Sequence, residues 1–135
     1  MSTQALSILL VEDSTPDAML AQEYLAEGPG AGHTVTHVVR AGDAVRRLAD
    51  GDIDVILLDL LLPDAMGVEC VAMIREAAPQ AAIVVISGVD DENVTANALE
   101  AGAQGYLLKD HISAEVLEHA LRVARARLLA ADGGE

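Results

Sequence analysis

Five short runs rich in Val, Ile and Leu recur at fairly even spacing, over residues 7–11, 34–39, 55–58, 82–86 and 105–108. Each has the length and composition of a β-strand. Three are almost continuously apolar, the pattern of parallel strands covered on both faces. The run at 34–39 mixes polar and apolar residues and suits an edge. Helical patterns lie between the runs. Pro16 sits at a first helical turn behind Ser14 or Thr15 as cap. Val71, Ile74 and Ala78 share a helical face, and Pro79 stops it. Val94, Ala98 and Ala101 form another, closed by Gly102. Leu117, Leu121, Ala124 and Leu128 form a longer stripe opened by Ser113, with Arg122, Arg125 and Arg127 toward its carboxyl end, where cations suit the macrodipole. Strand and helix thus alternate five times. That order implies an α/β fold with a five-stranded parallel sheet, helices on both faces and right-handed crossovers.

At 135 residues the chain is long enough for one domain with a real core. Two tyrosines, with no Phe or Trp, leave that core to aliphatic residues and disfavour base stacking on exposed aromatics. A net charge of −14 argues further against direct nucleic-acid binding. The single cysteine, Cys70, cannot form an internal disulfide and lies in a helical pattern as a small core or boundary residue. The start of the chain lacks a signal-peptide pattern, and no apolar run is long enough to cross a membrane, so a cytoplasmic location is expected. Residues 1–6 and 130–135 read as tails, the latter also as the stub of a linker, around a domain spanning 7–129. The glycine-rich stretch 28–32 follows a helix and precedes a strand. That is the reverse of a dinucleotide-binding loop, so it reads as a turn.

Asp59 interrupts the most apolar run of the chain, Val55-Ile56-Leu57-Leu58-Asp59-Leu60-Leu61-Leu62-Pro63. A buried carboxylate costs several kcal/mol unless it is paired, roughly by the balance of desolvation against attraction. Asp59 is therefore expected at a strand end facing a polar site. In open α/β sheets that end is where ligands bind. The first run ends in Glu12-Asp13, the fourth in Ser87-Gly88 and the fifth in Lys109. Taken singly, Glu12 and Asp13 could cap a helix, Ser87 could serve a turn, and Lys109-Asp110 could be a solvated pair. Their shared position at four strand ends favours a site. Two carboxylates about 4 Å apart repel by roughly 4 kcal/mol at an effective dielectric near 20. Three of them call for a hard cation, Mg²⁺ being the usual choice beside a phosphoryl group. Ser87 and Lys109 supply a donor and a charge for an anion, and carboxylates that accept phosphoryl groups are a known nucleophile class.

These segments resemble the receiver domains of two-component response regulators, in order and in spacing. The matching pieces are Ile8-Leu9-Leu10-Val11-Glu12-Asp13, the run from Val55 to Asp64, Ile83-Val84-Val85-Ile86-Ser87-Gly88, and Gly102 through Lys109. The resemblance implies a flavodoxin-like three-layer sandwich with strand order 2-1-3-4-5. It implies Asp59 as phosphoacceptor, Asp13 as direct Mg²⁺ ligand and Glu12 as a partner acting through water, with Asp59 and the Leu61 backbone carbonyl completing the metal set. Ser87 resembles the switch hydroxyl, Lys109 the lysine that pairs with the phosphoryl group, and Tyr106 the aromatic switch residue. A sensor histidine kinase or phosphotransfer protein would be the donor. A downstream protein or output domain would read the face of the fourth helix, fifth strand and fifth helix, where a homodimer could also form. Such a domain is a regulatory phosphoacceptor and not a turnover enzyme. Asp110 stands where family members often carry a cis proline, so a trans bond is expected there. Two other readings stay open. One is an aspartyl-nucleophile phosphatase, disfavoured because Leu61 occupies the place of its usual second Asp. The other is a receiver-like docking module that takes no phosphate.

Overall fold

The computed structural model describes residues 5–27 and 32–133, so the turn expected at 28–32 lies, but for Gly32, outside the described residues. The strands are β1 (Ser7–Val11), β2 (Thr34–Val38), β3 (Val55–Asp59), β4 (Ala82–Ser87) and β5 (Gly105–Leu108). The helices are α1 (Thr15–Glu27), α2 (Ala41–Leu48), α3 (Gly67–Ala77), α4 (Glu92–Ala101) and α5 (Ala114–Gly133), with a short 3₁₀ turn at Lys109–His111. The sheet is parallel throughout, in the order β2-β1-β3-β4-β5. The polar-mixed strand β2 is an edge, as its composition requires.

Alternation along each strand builds two cores. Leu9, Val11, Ile56, Leu58, Ile83 and Val85 pack under α2, α3 and α4, through Ala44, Cys70, Val71, Ile74 and Ala98. Ile8, Leu10, Val55, Leu57, Val84 and Ile86 pack under α1 and α5, through Ala18, Ala21, Leu25, Leu117 and Leu121. Full burial of one Leu or Ile side chain is worth about 1.5–3 kcal/mol, so these two layers carry most of the stabilisation. Packing begins at Leu6, which is buried ahead of β1.

The helix boundaries follow their local signals. Ser14 Oγ accepts the Asp17 N–H, and Ser113 Oγ accepts the Val116 N–H, so each caps its helix. Gly102 closes α4 at φ +129°, a region open to glycine, and a Cβ there would lie 3.0 Å from Arg75 Cγ. One expectation needs correction. Helix α5 runs on to Gly133, so Arg122, Arg125 and Arg127 do not occupy its last turn. They instead reach Glu118, Asp54 (at 4.0 Å) and the Gln104 carbonyl. Arg125 and Arg127 thus meet tertiary partners, and Arg122 meets an acid one turn earlier in its own helix.

Candidate functional site

Register places the strand ends side by side. Val11 pairs with Leu58, so Glu12 comes level with Asp59. Asp59 pairs with Ile86, one residue before Ser87, and Ser87 pairs with Leu108, one residue before Lys109. Because every strand is parallel, all these groups emerge at one edge. The same alternation that built the two cores sorts them by face. Glu12, Asp59 and Lys109 share the phase of Leu10, Leu57 and Leu107, on the α1/α5 side. Ser87 and Tyr106 share the phase of Val85 and Ile83, toward α3 and α4.

Glu12 and Asp59 are 4% and 5% exposed, so their charges need partners. Asp13 is exposed. One carboxylate oxygen from each of Glu12, Asp13 and Asp59 lies within 4.8 Å of the others, a set compatible with a divalent cation. Hard oxygen donors and net negative charge suit such an ion chemically. The Leu61 N–H donates to Asp59 Oδ1 at 3.1 Å, which fixes the carboxylate against the start of the following loop. The Ser14 N–H donates to Glu12 Oε2 at 3.1 Å. Lys109 Nζ reaches Asp17 Oδ2 at 2.8 Å, Glu12 Oε1 at 3.1 Å and Asp59 Oδ2 at 3.4 Å.

Electrostatics follow from that crowding. Burial lifts the Glu12 carboxyl to about 7, helped by its hydrogen bond to Asp59 and by the Asp59 charge, against the pull of the Ser14 N–H and Lys109. Burial by itself would lower the Lys109 ammonium. Its bonds to Asp17 and Glu12 and the charge of Asp59 outweigh that and hold it above its ordinary range. Lys109 is thus a fixed positive charge. Behind the site, burial and the charges of Asp59 and Asp64 push the Cys70 thiol up to about 12, so it is an inert core residue.

On the other face, Ser87 is buried and its Oγ accepts the Val89 N–H at 3.0 Å. Tyr106 is half-buried against the α4 side of the core, and its hydroxyl donates to the Val89 carbonyl at 2.9 Å. Ser87 and Tyr106 therefore hold the same residue of the loop between β4 and α4. No cis peptide occurs among the described residues, so the Lys109–Asp110 bond is trans, and the chain continues into the 3₁₀ turn.

The sequence-derived residues Glu12, Asp13, Asp59, Ser87 and Lys109 thus share one edge, and Tyr106, farther back in β5, reaches the loop after β4 through its hydroxyl. Sequence reasoning missed Asp17, which makes the shortest of the three Lys109 contacts. Its signal was present: an acid in the first turn of the helix that follows Glu12-Asp13.

Comparison with known proteins matches this geometry. Residues 8–122 match the family described as the response regulator receiver domain. The chain is 31% identical over 120 residues to the swarming motility regulation protein RssB of Serratia marcescens, covering 89% of this chain and 53% of that protein. It is 36% identical over 121 residues to the nitrate/nitrite response regulator protein NarL of Escherichia coli (strain K12), covering 89% of this chain and 55% of that protein. The chain therefore spans about half the length of these curated relatives. Among solved structures, it superimposes on the signal receiver domain of an HD domain-containing protein from Pseudomonas fluorescens Pf-5. That match has a TM-score of 0.81 and 25% identity, and covers 98% of this chain and 95% of that one. A LuxR-family two-component response regulator from Aurantimonas sp. SI85-9A1 gives a TM-score of 0.77 at 26% identity, covering 98% and 100%. The chain belongs to the response regulator receiver domain family, the phosphorylation-activated regulatory switches of two-component signalling.

Proposed function

We propose that Asp59 is the phosphoacceptor, with Mg²⁺ held by Glu12, Asp13, Asp59 and the Leu61 backbone carbonyl. One observation carries the reading: the Lys109 ammonium reaches Asp59 Oδ2 at 3.4 Å beside a three-carboxylate cluster at the strand ends. The metal, when bound, would offset charge on the incoming phosphoryl oxygens. The chain's own residues do the rest. An Asp59 carboxylate oxygen attacks phosphorus in a phosphohistidine. The P–N bond breaks, and its electron pair leaves with the imidazole, which then takes up a proton. Lys109 pairs with one phosphoryl oxygen, and the Ser87 hydroxyl donates to another. Phosphorylation adds about −1.5 to −2 charges.

The readout follows from the shared hold on Val89. Turning Ser87 Oγ toward the phosphoryl group removes the acceptor of the Val89 N–H. The loop then shifts, and Tyr106, bonded to the same residue, shifts with it. The face of α4, β5 and α5 changes as a result. A histidine kinase or phosphotransfer protein is the donor, and a downstream protein or output domain is the reader. Residues 7–129 form the receiver unit, and it works in the cytoplasm. In support of a water-exposed setting, no helix among the described residues is long and apolar enough to cross a membrane.

Intact-mass measurement after incubation with acetyl phosphate and Mg²⁺ tests the reading. The wild-type chain should gain one phosphoryl group, and Asp59→Asn none. Equal gain by both would refute the assignment, and no gain by either would favour a docking module. Lys109→Ala should still bind Mg²⁺ while losing the shape change on the α4 face.

A further inference from the structure

Lys109 is the single lysine of the sequence, and its ammonium is shared among three acids. Two of them, Glu12 and Asp59, belong to the cluster that can hold a cation; Asp17 does not. A cation therefore competes with Lys109 for Glu12 and Asp59 and leaves its contact with Asp17, the shortest at 2.8 Å, untouched. Strand phase explains why Asp17 reaches it. Lys109 lies on the α1/α5 side of the sheet, and Asp17 occupies the first turn of α1. The pair borders a small pocket of about 40 Å³ whose apolar walls include Leu20, Ala21, Tyr24, Ile86 and Ile112. Asp17 itself is 44% exposed at its side chain, so the pair is strong enough to bias Lys109 and weak enough to exchange.

We propose that Asp17 is a positioning residue that latches Lys109 in the resting state, so that phosphorylation proceeds by exchange of the Asp17 carboxylate for a phosphoryl oxygen on the Lys109 ammonium. The inference rests on the phosphoacceptor reading of Asp59. In the step it modulates, an Asp59 oxygen bonds to phosphorus and acetate leaves acetyl phosphate with the electron pair of the broken P–O bond. The phosphoryl group outcompetes Asp17 because it brings more charge to the same ammonium. Asp17 thereby raises the barrier to uptake and favours the resting arrangement.

The test uses the full chain labelled with ¹³C-lysine, which gives one ε-methylene signal. With Mg²⁺ present, Asp17→Asn should take up phosphoryl from acetyl phosphate on the order of 3- to 5-fold faster than wild type, the size expected for a partly exposed ion pair. Half-saturation by beryllofluoride, a phosphoryl mimic, should fall by a similar factor. The resting ε-methylene shift should move toward its beryllofluoride-bound value. Asp17→Glu keeps the charge and should behave as wild type. In a Lys109→Gln background, Asp17→Asn should give no acceleration, which separates the latch from a general loss of negative charge. An Asp17→Asn variant no faster than wild type overturns the latch, as does an acceleration that persists without Lys109. If wild type phosphorylates on Asp59 and only the Asp17 comparison fails, the phosphoacceptor reading stands. If wild type gains no phosphoryl group, both fall.

Discussion

At the amino-terminal end of the sheet, Arg75 donates to the carbonyls of Ala78, Pro79, Ala81 and Gly102 and to Gln104 Oε1. At the carboxyl end, Lys109 alone faces Glu12, Asp17 and Asp59. The first cluster is balanced. One guanidinium fork meets several oxygens with good geometry, and Gln104 Oε1 also accepts the Ile83 N–H. His33 completes the picture at that end. Leu6 N–H donates to its Nδ1, which assigns the ring proton to Nε2 facing Glu118, and Glu118 in turn pairs with Arg122. The second cluster holds more carboxylates than cations. Saturated polar groups hold a fold together, and a surplus of one sign leaves a place for something to bind.

The largest expected effects are of opposite sign at the two ends. Arg75→Ala strands backbone carbonyls in the packed corner between α3, β4 and β5. It should cost about 3 kcal/mol in urea unfolding, a typical penalty for leaving several partly buried acceptors unpaired. Phosphoryl uptake by the fraction still folded should be unchanged. Asp59→Asn relieves repulsion at the other end and, without metal, should raise stability by about 1 kcal/mol. A loss of stability in Asp59→Asn comparable with that of Arg75→Ala would erase the distinction between the two clusters.

The two ends also differ in how far they could be read from sequence. Glu12, Asp13, Asp59, Ser87 and Lys109 were legible because parallel strands bring their carboxyl ends to one edge whatever the details of packing. Cys70 was legible as a helical core residue for the same kind of reason, its place in an apolar period. Asp17 carried only a partial signal, an acid in the first turn of α1; its reach to Lys109 depends on how α1 is rotated against the sheet, which is settled by Ala18, Ala21 and Leu25 packing under it. The Arg75 cluster was invisible, since all but one of the acceptors named above, Gln104 Oε1, are backbone carbonyls that leave no mark in the sequence. Helix α2 left no stripe because two of its three buried residues are alanines. It also lacks a cap of its own. Asp64, from the loop after β3, accepts the Ala41 and Gly42 N–H groups, a contact across 22 or 23 residues that no local pattern announces.

A pH titration without metal sharpens the comparison further. Glu12 binds its proton up to about pH 7 in the folded chain, against an ordinary value of 4.5. Between those values the folded state keeps a proton that the unfolded state releases. Stability from this group is therefore full below about 4.5 and lost as pH rises through about 7. The expected loss is roughly 2–3 kcal/mol in denaturant unfolding between pH 5 and 8. Glu12→Gln should flatten that slope. Mg²⁺ should reverse it, since a cation favours the ionised carboxylates. A slope that survives in Glu12→Gln would place the surplus charge on another group.

The smallest effect concerns an acid at the functional edge that is not part of the surplus. Asp91 caps α4, its Oδ1 accepting the Asn93 N–H at 2.8 Å and the Val94 N–H at 3.3 Å. It lies beyond Ser87 and close in sequence to the site, yet its charge is spent on two helix donors. Asp91→Ala should therefore destabilise the chain, by about 1 kcal/mol, where Asp59→Asn stabilises it. Thermal unfolding of the two variants under identical conditions gives the signs directly. If both shift the same way, proximity to the edge governs the response. If they shift oppositely, what distinguishes the site is the surroundings of each carboxylate, because both acids lie at the same end of the sheet, Asp59 buried beside other carboxylates and Asp91 exposed and bonded to two helix donors.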